Sequence, residues 1–150
     1  MFNDGHGGEQ IGTADAEGID RDTDGRREND VVVVMLGTND IALNLSDGTG
    51  TYNQLRAFCA ARRIWAKKLI VCTLPAWNTA QFANEDDRLT TNDLVDTNWA
   101  EFADRKASVG ADADIGIEWT GAPAFLDNIH LDDDGHAIVA ALVHTEILSL

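Results

Sequence analysis

The run Val31-Val32-Val33-Val34-Met35-Leu36, followed at once by Gly37-Thr38-Asn39-Asp40, constrains this chain more than any other feature. An unbroken apolar stretch dominated by β-branched residues suits a strand covered on both faces, the setting of a parallel sheet. The abrupt change to a glycine and three small polar residues is how such a strand delivers the chain to the rim of an open α/β sheet, where these folds place their chemistry. Leu69-Ile70-Val71-Cys72-Thr73-Leu74, stopped by Pro75, is a second stretch of the same character.

Helical spacing lies between and after these strands. Tyr52, Leu55, Phe58, Cys59, Arg62 (by its stem) and Trp65 predict an amphipathic helix over residues 52–67. Another is expected over residues 91–106, capped by Thr91 or Asn92 and burying Leu94, Val95, Trp99 and Phe102. Ile115-Gly116-Ile117-Glu118-Trp119 is a weaker third strand. Asp133 or Asp134 is expected to cap a last helix that turns Ile138, Ala141, Leu142 and Ile147 to the core. Residues 41–50 form a polar connection, and residues 1–30, rich in Gly and Asp, are loop with a short helix near residues 14–18. Strands alternating with helices point to a parallel sheet with right-handed crossovers. With 150 residues, no internal repeat and no linker, the expectation is one domain over residues 1–150.

A formal net charge of −15 argues against nucleic acid as a partner, since phosphate binding rests on Lys and Arg, and equally against anionic membrane surfaces. No apolar run approaches the ~20 residues of a membrane span, and the start carries no cationic-then-apolar secretion signal. Cys59 and Cys72 fall in a predicted helix and strand without metal-ligand spacing, and are expected as reduced core thiols.

Two clusters carry chemistry. At a strand's carboxyl end, Gly37 lets the backbone turn sharply. The Asn39 amide there can donate to an oxyanion, a contribution of about 3 kcal/mol where such donors have been removed. Asp40 is expected to tie the loop to backbone N–H groups. Taken alone, Asn-Asp after a strand is also ordinary turn chemistry. In Asp127-Asn128-Ile129-His130 the carboxylate can accept from one imidazole nitrogen and leave the other as a general base. The structural alternative is a helix-entry turn in an acidic chain. His136 and His144, in the last predicted helix, are expected to pack or face solvent, and His6 sits in a Gly-rich loop.

Gly37-Thr38-Asn39-Asp40, then Asp127-x-x-His130 followed by Gly135 and an apolar helix, resembles the third and fifth sequence blocks of the SGNH (GDSL-type) ester hydrolase superfamily. Gly5-His6-Gly7-Gly8 is similar to the second block, in the Gly-His-x-Gly form of some carbohydrate acetyl-esterase branches, although Glu9 stands where those branches carry Trp. The resemblance implies a three-layer α/β/α sandwich of flavodoxin-like type. It implies cleavage of carboxylic esters, with acetylated carbohydrate as the expected substrate class, and no cofactor. It further implies that Gly8 gives a backbone N–H and Asn39 a side-chain N–H to the oxyanion hole, with His130 as base and Asp127 as its orienting partner.

The first block of that family, a strand ending in Gly-Asp-Ser, is absent. The only serines are Ser46, Ser108 and Ser149, none in that setting or in that order relative to Gly8. The chain as given is therefore expected to be inactive or very slow on esters. The resembled fold also places the first strand beside residues 31–36, and of its second strand only Met1-Phe2-Asn3 remains as a remnant. An exposed apolar edge is the expected consequence. It predicts an upstream segment missing from this sequence, edge pairing between two copies through residues 31–36, or poor solubility.

Two other classes of function compete. Asp20, Asp22 and Asp24 before Gly25 resemble the opening of a calcium loop, with Glu28 at the ninth position, but Val31 occupies the twelfth and Arg26 and Arg27 oppose a cation. An esterase scaffold kept only for binding a sugar or a partner is the second alternative. Among Trp65, Trp77, Trp99 and Trp119, Trp77 just after Pro75 is the best candidate for a pocket wall.

Overall fold

A computed structural model of the chain describes residues 9–14, 31–64, 66–78, 84–116, 124–127 and 129–150. A parallel sheet of strand order β1-β2-β3 is formed by β1 (Val31–Val34), β2 (Lys68–Cys72) and β3 (Arg105–Ala107). Around it lie α1 (Thr38–Ala42), α2 (Gly48–Arg62), α3 (Glu85–Asn98) and α4 (Asp133–Leu148).

The pleat of β2 divides the core. Leu69 and Val71 point into a cluster with Val34, Leu55, Phe58, Cys59, Val95 and Phe102, beneath α2 and α3. Ile70 and Cys72 point the other way, to Ala107, Val109, Ile115, Leu131 and Val143 beneath α4. The architecture is thus three layers, α/β/α, with β2 buried on both faces. Both thiols are free and buried, and burial pushes each up to about 12.

Strand β1 differs. Among the described residues it pairs with β2 alone, and Val31, Val33 and Met35 are exposed while Val34 is buried. The strand closes at Val34, so the expected six-residue run is shortened to four residues. Met35 and Leu36 lead instead into Gly37, whose φ of 122° only glycine adopts easily, and a Cβ there would stand 2.8 Å from the Thr51 side chain.

The helix boundaries depart from expectation for identifiable reasons. Residues 41–50 contain the end of α1 and the start of α2, because Asp47 caps α2 by accepting from Gly50 N at 2.6 Å. The buried stripe Tyr52, Leu55, Phe58, Cys59 and Arg62 is as expected, but the helix stops at Arg62, and Trp65 lies outside the described residues. Helix α3 begins at Glu85 and not near Thr91, since its buried stripe is largely polar: Arg88, Thr91, Asn92 and Val95. It ends at Asn98, before a 3₁₀ turn at Trp99–Glu101.

Among the described residues the third strand is Arg105–Ala107; of the strand expected at Ile115–Trp119 only Ile115 and Gly116 are described, both in a turn, and residues 117–119 lie outside the described residues. Asp104 N donates to Leu69 O at 2.8 Å and its carboxylate accepts from Leu69 N at 2.9 Å, which sets β3 against β2. Ile115 is held instead in a turn organised by Asp112, which accepts from Asp114 N at 2.9 Å and Ile115 N at 3.3 Å. The cap of α4 is Asp132, one residue before the expected pair, accepting from Gly135 N at 2.9 Å. Gly135 and Val143 are its buried residues, Ile138, Leu142 and Ile147 pack half-buried against the core as expected, and Ala141 is exposed. Of the short helix expected near residues 14–18, a helical turn over residues 11–14 is described.

Candidate functional site

All three strands run parallel, so the segments that follow them emerge on one rim. Ile41 from α1, Leu74 and Trp77 from the segment after β2, and Ile129 from the loop before α4 form a small apolar cluster there. Ile41 stands two residues after Asn39, and Ile129 directly precedes His130.

The His130 turn is built locally. Leu126 N donates to His130 O at 2.9 Å and Asp132 N to Ala124 O at 3.0 Å, closing a loop over residues 124–132. Gly135 permits this closure, since a Cβ there would fall 2.4 Å from Ala124 O. Inside the loop, one oxygen of Asp127 accepts from Ile129 N and from His130 N, both at 2.8 Å. Its other oxygen lies 2.8 Å from His130 Nδ1. An ionised carboxylate only accepts, so Nδ1 carries the proton and Nε2 is left as the basic nitrogen. The backbone N–H of His130, the ring and Ile129 N together hold the Asp127 carboxyl down at about 2, so it remains charged through the neutral range. The imidazole is 71% exposed, and no hydrogen bond among the described residues occupies Nε2.

Asn39 and Asp40 sit in the first turn of α1, just beyond Gly37. Asn39 Nδ2 donates to Glu9 O at 2.9 Å. The Asp40 carboxylate accepts from Ile11 N at 3.1 and 3.3 Å, and burial raises its pKa against the lowering effect of that bond. Gly8, the expected second donor, lies outside the described residues, as do His6 and the Asp20, Asp22 and Asp24 triplet. Among the described residues no group of three or more His, Cys, Asp or Glu could hold a metal ion, and no helix is long and apolar enough to cross a membrane.

None of the three serines hydrogen-bonds His130 among the described residues. Ser46 Oγ donates to Asp47 O at 3.2 Å and accepts from Gln54, while Ser149 Oγ donates to Glu146 O at 2.8 Å and accepts from Arg105. Ser108 lies just beyond β3. His136 and His144 are exposed on α4. Trp77 is only 1% exposed and packs under the rim, so it offers no open wall for stacking a sugar.

One arrangement escaped sequence reasoning. Asn92 grips the backbone of Leu74 at both ends, accepting from its N at 2.7 Å and donating to its O at 3.0 Å. Arg88, fully buried and paired with Glu85, donates to the same carbonyl at 3.0 Å. Glu85, Arg88 and Asn92 at steps of three and four on one helix were the available signal. They fix the segment on which Ile129 rests.

Comparison with known proteins bears on the family and the fold. No curated protein matches the chain at a significant level. A solved structure that does match is the crystal structure of a member of the lipolytic protein G-D-S-L family from Veillonella parvula DSM 2008. The TM-score is 0.75 at 16% identity, over 95% of this chain and 77% of that one, a likeness of fold. The model of the GDSL-like Lipase/Acylhydrolase family matches residues 1–138. With nearly the whole length matched, the chain belongs to the GDSL-like lipase/acylhydrolase family.

Proposed function

We propose that this chain carries the base and oxyanion donors of a carboxylic ester hydrolase, with acetyl groups on carbohydrate as the substrate class. His130 Nε2 takes the proton of the attacking hydroxyl and returns it to the leaving alkoxide. Asp127 holds the imidazole in the required tautomer and offsets the positive charge that forms on it. Asn39 Nδ2, with the backbone N–H of Gly8, donates to the carbonyl oxygen as it becomes an oxyanion. The acyl-enzyme step needs a serine in a Gly-Asp-Ser setting, and Ser46, Ser108 and Ser149 do not supply one. Ester turnover by the chain as given is therefore residual.

The observation that carries this reading is the 2.8 Å contact between Asp127 and His130 Nδ1, with Nε2 left open. A fluorophosphonate probe and a chromogenic acetyl ester test it. The expected result is no labelled serine and a slow turnover that His130→Ala abolishes. Labelling of any serine would overturn the missing nucleophile, and turnover indifferent to His130→Ala would overturn the base. The edge of β1, which pairs with β2 alone among the described residues, is in the same reading the surface for pairing with a second copy, measured by sedimentation with and without Val33→Lys.

A further inference from the structure

Two consecutive side chains reach back about 30 residues to one short stretch of backbone. Asn39 Nδ2 donates to Glu9 O at 2.9 Å, and Asp40 accepts from Ile11 N at 3.1 and 3.3 Å. The stretch is held a third time, where Arg62 Nη2 donates to Ala14 O at 3.2 Å, and Ile11 and Ala14 pack into the core beside α2. Asp40 itself is 3% exposed.

Burying a carboxylate is costly, and packing at this position would be served as well by a neutral side chain. What the carboxylate adds is register. By gripping Ile11 N it fixes where the carbonyl two residues earlier lies, and that carbonyl holds one of the two N–H groups of the Asn39 amide. Because a carboxamide is planar, fixing one N–H fixes the direction of the other.

We propose that Asp40 is a positioning residue for the Asn39 donor: it clamps Ile11, the clamp sets the Glu9 carbonyl, and that carbonyl sets the plane of the Asn39 amide. This rests on the reading of Asn39 as an oxyanion donor. The clamp is a separate, measurable claim.

The test is nuclear magnetic resonance of the intact chain, following the Ile11 amide and the two Nδ2 protons of Asn39. In Asp40→Ala the Ile11 amide exchanges at least about tenfold faster, and the Asn39 proton pair loses its native shift separation. Asp40→Asn, which keeps one acceptor oxygen, restores both signals. An Asn39 pair unchanged in Asp40→Ala, or no restoration by Asp40→Asn, overturns the proposal. If Asp40→Ala does not fold, exchange in the unsubstituted chain decides the matter. A shared opening reaction for Ile11 N–H and the bonded Asn39 N–H supports the clamp, and separate openings refute it. None of these signals uses turnover. Ester turnover unaffected by Asn39→Ala would instead sink the functional reading while leaving the clamp standing.

Discussion

Asp40 and Asp127 both spend a carboxylate on backbone N–H groups, yet the two regions treat the charge in opposite ways. Asp40 lies buried in the first turn of α1 with Ile11 N as its donor, and burial outweighs that bond to raise its pKa. Asp127 stands in solvent with two backbone donors and the His130 ring, and is held at about 2. Donor number and access to water decide the outcome, not residue type. Asp40 suits a fixed internal clamp, whereas Asp127 suits a group that must stay negative beside an imidazole gaining a proton.

The largest difference is expected in stability. Asp40→Ala leaves Ile11 N–H buried without its acceptor, a cost of about 1–3 kcal/mol in urea unfolding. Asp127→Ala lowers the unfolding midpoint by less, because this carboxylate stands in solvent, and it loosens the amides of Ile129 and His130. Equal shifts for the two variants would erase the contrast.

Acid gives a smaller effect with opposite signs. Asp127 titrates below its ordinary 3.8, so its contribution to stability is complete above 3.8 and is lost as pH falls through about 2. Asp40 titrates above 3.8, so the folded state binds its proton more tightly than the unfolded chain, and stability rises as pH falls through that raised value. Asp127→Asn should flatten the first slope and Asp40→Asn the second, in unfolding measured across the acid range. Slopes of the same sign would break the comparison.

The finest test is direct. Carbon-detected titration of the two carboxyls should find Asp127 turning near 2 and Asp40 turning above 3.8. A reversed order would refute the assignment of burial to one and donors to the other.

What the sequence disclosed follows the range of the interactions. Strand β2 and the stripe of α2 were legible because apolar residues recur at the strand and helix periods. The beginning of α3 was not, because Arg88, Thr91 and Asn92 face inward and their burial depends on Glu85 and the Leu74 backbone. Nor was β3, since Arg105-Lys106-Ala107 has no strand character of its own and is held by Asp104 and by pairing with β2. The same rule divides the candidate site. Asp127 and His130 are three residues apart, so their bond is visible from spacing. The grip of Asn39 on Glu9 links positions 30 residues apart, and no local pattern announces it.

Asp132 ends the 124–132 loop with its own N–H and begins α4 with its side chain, and Gly135 lets the helix rest against Ala124 O. The imidazole is therefore mounted like the head of a lever whose shaft is α4. At the far end of that shaft Ser149 meets Arg105, which belongs to β3. One helix thus carries the His130 turn at its start and the joint with β3 at its end.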